Sequence, residues 1–311
     1  MPSSIQSLCY EDLLNAGVLS SESDCCLYLI GKKILPTNRN CLSCGTVMQI
    51  KPCSSSIYSD GFCWRCPCGS SVSVRKHSIL ERSPMPFRKF ITLLHEYSKR
   101  TTVSSTAISS TLDEGTVRRF FDMIREKMHD EISTTSGMIG GPGVIVQIDE
   151  SKHGKRKYQR GRLVEGTWVF GGVDQVTGEA FFEICPANKR DEATLLPIIL
   201  RRIRPGSIIV SDCWGAYVNL NQHGYTHFTV NHSMSYVNAQ TGAHTNAIEG
   251  LWTHLKNHTR QRIGGKKTEK SLELDLTEYA WLKKKGATTV GDLNKLFSEL
   301  LPGLLYYRNW N

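Results

Sequence analysis

The pattern of hydrophobic and polar positions changes several times along this chain of 311 residues. Residues 37–78 contain few long apolar runs and are rich in Cys, Gly and Ser. Residues 86–131 carry apolar positions at intervals of three and four, which is typical of amphipathic helices. Residues 144–286 alternate between β-branched runs and helical stretches. The pattern therefore predicts small N-terminal modules followed by one α/β domain.

Three helices are expected in the second of these regions. The first begins at Phe87, directly after a proline, and Thr101 or Thr102 can cap the second. Asp113 can cap a third helix, whose apolar residues share one face. Its other face is expected to carry the basic residues Arg118, Arg119, Arg125 and Lys127. This arrangement fits a helix-turn-helix that binds DNA, and it also fits a three-helix bundle with a solvated basic face.

The cysteines are concentrated near the N-terminus. Nine of the eleven lie between Cys9 and Cys68, and the other two are Cys185 and Cys213. The first residues show no basic-then-apolar signal pattern, so reduced thiols and metal ligands are favoured over disulfides. We expect a protein that is not secreted, and that is nuclear in a eukaryote or cytoplasmic and nucleoid-associated in a bacterium.

The spacing of these cysteines is typical of a zinc ribbon. Cys41-x2-Cys44 forms one pair, and a second group contains Cys63, Cys66 and Cys68. A structural Zn²⁺ takes four thiolate or imidazole ligands, which two such groups can supply. Cys41, Cys44 and Cys66 are the expected ligands, whereas Cys63 and Cys68 compete for the fourth place. The alternative is a set of buried thiols without metal.

Three carboxylates stand at distinctive positions in the last region. Residues 144–148 form a β-branched run that ends at Asp149, and residues 207–211 form a second run that ends at Asp212. Each run predicts a buried strand that presents a carboxylate at its end. Glu249 lies in the first turn of a later predicted helix.

The order of predicted elements indicates how these carboxylates meet. Residues 166–184 predict a hairpin of two strands, and helices are expected to begin near Asp191 and Trp214. The resulting order is three strands, helix, strand, helix, strand, helix. It matches an α/β, ribonuclease-H-like mixed sheet, in which strands 1 and 4 are neighbours. Asp149 and Asp212 would then lie at adjacent strand ends, with Glu249 reaching them from a helix.

Three carboxylates at one sheet edge repel one another unless cations bridge them. Carboxylate oxygens are hard ligands that suit Mg²⁺ or Mn²⁺. Two such ions can activate an attacking oxygen and stabilise the leaving oxygen at a phosphodiester. The residues therefore predict a metal-dependent site for phosphoryl transfer.

The overall charge points to a polyanionic partner. Lys and Arg number 38 against 29 Asp and Glu, which gives a net charge of +9 with His neutral. The apolar stretches are far shorter than the ~20 residues of a membrane span, so a membrane protein is not expected. Double-stranded DNA is the expected partner.

Several segments resemble Merlin-type DDE transposases and their bacterial insertion-sequence (ISXO-like) relatives. The segments are Ile148-Asp149-Glu150-Ser151, Trp168-Val169-Phe170-Gly171-Gly172, Ser211-Asp212-Cys213-Trp214-x-x-Tyr217, His244-Thr245-Asn246-x-Ile248-Glu249-x-x-Trp252-x-x-x-Lys256 and Glu278-Tyr279-x-Trp281. The resemblance implies that Asp149, Asp212 and Glu249 form the acidic triad of a transposase. It also implies a basic residue at Lys256, seven positions after Glu249 on the same helix face.

A run of basic residues follows the first aspartate and could track a DNA backbone, although a solvated basic loop would look the same. Its candidate DNA-binding residues are Lys155, Arg156, Lys157, Arg160 and Arg162.

The predicted function is a DNA transposase that binds terminal inverted repeats, cuts them and joins the 3′-hydroxyls to target DNA. Relatives pair two ends, so a homodimer or larger assembly is implied. The alternatives are a domesticated DNA-binding protein that no longer cuts and a structure-specific nuclease. The expected segments are an N-terminal helical segment (1–36), a zinc ribbon (37–80), a helical DNA-binding segment (84–135), the catalytic domain (144–286) and a C-terminal helix or tail (287–311).

Overall fold

The protein is described here by a computed structural model. It describes residues 10–32, 34–54, 58–78, 80–154, 166–230, 244–262, 268–288 and 297. The chain divides into two compact units, of which one is Met1–Ile124 with Thr289–Asn311 and the other is Arg125–Thr288. The predicted C-terminal segment lies almost entirely outside the described residues. No helix in the described part of the chain is long and apolar enough to cross a membrane.

The first unit begins with two short helices and a small sheet. The helices are α1 (Tyr10–Asn15) and α2 (Glu22–Gly31), and the strands are β1 (Gln49–Pro52), β2 (Phe62–Arg65) and β3 (Ser71–Ser73). The three strands are antiparallel in the order β1-β2-β3. Gly45 and Gly69 have positive φ angles, which allow the chain to turn tightly next to the cysteine groups.

A buried ion pair holds this sheet in the first unit. The guanidinium of Arg75 contacts the carboxylate of Asp60, and both side chains are almost fully buried. Arg75 also donates to the carbonyl oxygen of Ser83 at 2.9 Å and stacks on Phe87 at 4.7 Å. Glu22 of α2 contacts the same guanidinium at 3.1 Å. The pair therefore ties the small sheet to the helices on either side of it in the sequence.

The three helices expected after the small sheet are present. They are α3 (Phe87–Ser98), α4 (Val103–Ser110) and α5 (Glu114–Thr135). Thr102 caps α4 by accepting from the Ser105 N–H, and Asp113 caps α5 by accepting from the Thr116 N–H at 2.8 Å. The third helix has 22 residues and ends at Thr135, and the boundary between the two units falls within it.

One residue of the expected basic face is placed differently. Arg125 is buried rather than solvated, and it pairs with the fully buried Asp275 at 2.8 Å within the second unit. The helix period assigned Arg125 to the polar side, but the neighbouring helix α8 (Glu269–Lys285) covers that position with a carboxylate.

The second unit contains a five-stranded mixed sheet. Its strands are β4 (Ile145–His153), β5 (Thr167–Asp174), β6 (Ala180–Ile184), β7 (Ile208–Ser211) and β8 (Thr226–Thr229). The spatial order is β6-β5-β4-β7-β8, with β4, β5 and β6 antiparallel and β7 and β8 parallel to β4. This is the ribonuclease-H-like arrangement, which confirms the predicted fold and the predicted pairing of strands 1 and 4.

Helices cover both faces of this sheet. Helix α6 (Glu192–Arg202) packs on one face with the side chains of Leu195 and Ile198, and α7 (Asn246–Arg262) packs on the other with α8. The helix expected after Trp214 is instead two short 3-10 turns, at Gly215–Tyr217 and Leu220–His223. Glycine and asparagine are frequent in this stretch, and their low helix propensity explains why no α-helix forms.

Candidate active site

Asp149 lies in the middle of β4 and not at its end as predicted, because β4 continues to His153, whereas Asp212 directly follows the last residue of β7. Strands β4 and β7 are parallel, and their last paired residues are Gln147 and Val210. The same register continued by two residues brings Asp149 opposite Asp212. Both side chains are half-buried. The β-branched composition of the two runs thus produces the strands, and their shared direction brings both carboxylates to one edge of the sheet.

A buried glutamine brings the third carboxylate to this edge. Gln147, two residues before Asp149 on the same face of β4, is fully buried. Its side-chain oxygen accepts from the backbone N–H of Ile248 at 3.0 Å, which fixes the first turn of α7 against the strand. Glu249 follows directly and is exposed, and one of its oxygens accepts from the Thr245 hydroxyl at 2.8 Å.

The negative charges of Asp212 and Glu249 act on Asp149. Burial raises the pKa of Asp149 to about 6, and the charges of Asp212 and Glu249 contribute to that rise. Hydrogen bonds from the Glu150 backbone and the Trp252 indole oppose it. Within the described part of the chain, the oxygens of these three carboxylates do not all lie within 4.8 Å of one another. Their oxygens are nevertheless the hard donors that a divalent cation prefers.

A tryptophan orients the first aspartate. The indole N–H of Trp252 donates to Oδ2 of Asp149 at 3.0 Å. The ring lies over Gly171 of β5, which is paired with Asp149, and a Cβ at that position would lie 2.8 Å from the indole. The glycine in the Trp168–Gly172 motif therefore makes room for the ring that holds the carboxylate. The sequence did not predict this contact, although the place of Trp252 between Glu249 and Lys256 on one helix face was a usable signal.

The predicted basic residue of α7 lies near the same carboxylate. Lys256 is half-buried, and burial together with the charge of Arg260 lowers its pKa. The negative charge of Asp149 acts in the opposite direction and favours the ammonium form. One face of α7 therefore turns towards Asp149, and it carries Glu249, Trp252 and Lys256.

Glu150 belongs to the opposite face of the sheet. It is buried, accepts a hydrogen bond from the hydroxyl of Tyr217, and its pKa is raised by burial to about 7. Successive residues of a strand point to opposite faces, so Glu150 and Asp149 face different layers. The pairing also accounts for Tyr217 in the Asp212-x-x-x-x-Tyr217 spacing, as a buried partner of Glu150.

Four thiols come together in the first unit. The Sγ atoms of Cys41, Cys44, Cys66 and Cys68 all lie within 4.8 Å of one another. The backbone N–H of Ser43 points at Cys41 Sγ at 3.4 Å, as expected for a metal-binding turn. Cys63, which competed with Cys68 for the fourth place, is buried in β2 and is not part of this four-thiol cluster.

The structure describes two of the seven candidate DNA-binding residues. Arg118 and Arg119 are exposed near the start of α5, where Arg118 lies 3.9 Å from Glu114 and Arg119 donates to Thr116. The remaining candidates lie outside the described residues: Lys155, Arg156, Lys157, Arg160 and Arg162.

Known proteins share the part of the chain that carries these carboxylates. Residues 134–281 match the family described as the ISXO2-like transposase domain. An uncharacterized transposase-like protein of Haemophilus influenzae is 36% identical over 89 residues, which are 29% of this chain and 69% of that protein. The chain belongs to the ISXO2-like transposase family. Its ISXO2-like domain includes Asp149, Asp212 and Glu249, and the match ends at Trp281.

Two solved structures are also similar to this ISXO2-like chain. The catalytic core domain of HTLV-2 integrase in complex with magnesium is 14% identical, with a TM-score of 0.29, and the match covers 45% of this chain and 86% of that one. A pre-cleavage Mos1 transpososome is 11% identical, with a TM-score of 0.27, and the match covers 70% of this chain and 79% of that one.

The last motif of the ISXO2-like domain has a structural explanation. Glu278 is fully buried and lies 3.5 Å from His258 of α7. Tyr279 packs on Phe182 of β6, with the ring centroids 5.9 Å apart. The indole N–H of Trp281 donates to Glu131 at 2.8 Å. The motif therefore attaches α8 to the sheet and to the neighbouring helices.

Proposed function

We propose that this ISXO2-like protein is a DNA transposase that binds terminal inverted repeats, cuts the strands at the ends of its element and joins them to target DNA. The observation that carries the proposal is the parallel register of β4 and β7, which sets Asp149 beside Asp212. The influence of Asp212 and Glu249 on the pKa of Asp149 supports a shared site for positive charge.

The carboxylates of Asp149, Asp212 and Glu249 would hold two Mg²⁺ or Mn²⁺ ions. When bound, the ions would supply Lewis-acid stabilisation of the oxygens that attack and leave at a phosphodiester. The chain's own residues keep the ligands in place. Trp252 fixes one oxygen of Asp149, and the Thr245 hydroxyl fixes one oxygen of Glu249. The ammonium of Lys256 would bind a phosphate oxygen beside Asp149.

The first unit would recognise the DNA ends. The four-thiol cluster of Cys41, Cys44, Cys66 and Cys68 would hold one structural Zn²⁺, because four thiolates are a typical closed zinc site. The three-helix segment, including Arg118 and Arg119, would contact duplex DNA, and the basic run after β4 would contact the backbone. Pairing of two ends implies a homodimer or larger assembly on DNA.

The test is direct mapping of strand breaks. Full-length protein is incubated with end-labelled DNA that carries candidate element ends, with Mg²⁺, Mn²⁺ or a chelator present. The expected result is cutting at the boundary between element and flanking DNA with either metal, and none with the chelator. Specific binding without cutting under any of these conditions would instead identify a domesticated DNA-binding protein.

A further inference from the structure

An arginine is held between two indole rings at the edge of the sheet that carries the carboxylates. Arg190 precedes α6, and its guanidinium carbon lies 4.0 Å from the centre of the Trp214 ring and 4.5 Å from that of Trp168. The indole N–H of Trp214 donates to the backbone carbonyl of Arg190 at 2.8 Å. The ammonium of Lys152 lies 5.4 Å from the Trp168 ring. We call Trp168, Arg190 and Trp214 the guanidinium clamp.

The clamp is connected to the candidate catalytic site. Trp214 follows Asp212 by two residues, and its backbone N–H donates to Oδ1 of that aspartate at 2.9 Å. Trp168 pairs with Lys152 of β4, three residues beyond Asp149. The clamp therefore lies beside the last residues of β4, beyond the end of β7, and its Trp168 shares the sheet face of Glu150 and not that of Asp149.

The guanidinium of Arg190 has no hydrogen-bond or ion-pair partner among the residues that the structure describes. Other arginines of this unit are paired: Arg201 contacts Glu183, and Arg125 contacts Asp275. The positive charge of Arg190 opposes the rise that burial causes in the pKa of Glu150. Arg190 is half-buried and Trp214 is 38% exposed, so the clamp is open to solvent.

This combination is suited to an anion. A guanidinium carries five N–H donors in one plane, and stacking on both of its faces leaves those donors pointing outwards from its edge. Stacking also restricts a long side chain before any ligand arrives, which lowers the entropy lost on binding. Phosphate oxygens accept two parallel N–H donors from such an edge.

We propose that the guanidinium clamp binds a backbone phosphate of the DNA strand that passes the carboxylate edge. The inference rests on the proposed transposase function, and it adds a strand-positioning residue that lies outside the acidic triad and the predicted basic runs. Trp214 joins the clamp to the proposed site, because its backbone N–H donates to Asp212. A phosphodiester whose charge is partly neutralised by a cation at Asp212 would be a fitting neighbour for the arginine.

The test uses full-length protein and a short labelled DNA duplex, with Ca²⁺ in place of Mg²⁺. Affinity is measured by fluorescence anisotropy across a series of salt concentrations. Arg190→Ala should bind about tenfold more weakly at low salt and should lower the slope of log affinity against log salt by about one, because one phosphate contact is lost. Arg190→Lys should recover only part of the affinity, since it keeps the charge without the planar fork.

The matched control is Arg201→Ala, which removes the same charge at the other end of α6 from an arginine that already pairs with Glu183. It should leave affinity and slope unchanged. If wild-type protein binds and cuts DNA but Arg190→Ala keeps its affinity and slope, the clamp inference is wrong and the transposase proposal stands. If Arg190→Ala weakens binding with an unchanged slope and a lowered melting temperature, the clamp is structural and the inference is also wrong. Absence of DNA binding by the wild-type protein would overturn both.

Discussion

Replacing Trp252 by Phe removes one hydrogen bond to Asp149 and keeps an aromatic ring over Gly171. In the native protein the indole N–H donates to Oδ2 of Asp149 at 3.0 Å, and this bond favours the ionised carboxylate. Burial has already raised the pKa of Asp149 to about 6. Loss of the bond should raise that pKa further.

The size of the effect follows from the kind of bond. A hydrogen bond to a charged group contributes about 1.5–3 kcal/mol, and about 1.4 kcal/mol corresponds to one pH unit. Because Asp149 is half-buried, we expect a hydrogen-bond energy at the lower end of this range. Loss of the bond should therefore raise the pKa of Asp149 by about one unit. A protonated carboxyl does not bind a cation, so activity is lost as pH falls through this pKa. Trp252→Phe should therefore cut several-fold more slowly near pH 6 and almost normally near pH 8.

The assay is single-turnover cleavage as a function of pH, at a Mg²⁺ concentration below saturation. The acid side of the profile should move upwards by about one pH unit in Trp252→Phe. Trp281→Phe is the matched control, because its indole also donates to a carboxylate, that of Glu131 at 2.8 Å, but away from the site. If Trp252→Phe and wild type lose activity over the same pH range, the indole does not tune Asp149 and the reasoning fails.

Three further predictions concern other parts of the molecule. Cys68→Ser should release the zinc and Cys63→Ser should retain it, as measured by elemental analysis of protein purified without chelators; equal zinc loss would remove the four-thiol assignment. Arg75→Ala should lower the free energy of unfolding by about 3–5 kcal/mol, because it leaves a buried carboxylate unpaired, whereas Lys76→Ala at a half-exposed pair should cost less than about 1 kcal/mol in chemical unfolding. Lys256→Ala should slow cleavage less than the loss of any triad carboxylate, since it removes a phosphate contact and no metal ligand; an equal loss would assign Lys256 a larger role.

The fold of the second unit could be predicted because local sequence patterns identify its strands. The runs before Asp149 and Asp212 are apolar and β-branched, and the element order then restricts which strands can be neighbours. The stretch after Trp214 could not be predicted in the same way. Its aromatic and apolar residues suggested a helix, but Tyr217 is buried through its contact with Glu150 on another strand. The low helix propensity of the glycines and asparagines and this tertiary contact together decide the local structure there.

Details of the sites depended on contacts that are distant in the sequence. Spacing alone left Cys63 and Cys68 as competing ligands, and the pairing of β2 with its neighbours decides which thiol joins the others. Arg125 was assigned to a basic face because the sequence does not reveal that Asp275 packs against it. The guanidinium clamp joins three separate loops and strands, so no local pattern predicts it.

The most direct test of the account is strand cleavage by variants that neutralise one carboxylate each. Asp149→Asn, Asp212→Asn and Glu249→Gln are compared with Glu179→Gln, which neutralises an exposed glutamate in a hairpin turn. Each triad variant should lose cleavage and strand transfer while binding DNA ends as wild type does, because removing one negative charge weakens cation binding but leaves the first unit intact. Glu179→Gln should cut normally. Normal cutting by Glu249→Gln, or by either asparagine variant, would contradict the assignment of this edge as the catalytic site.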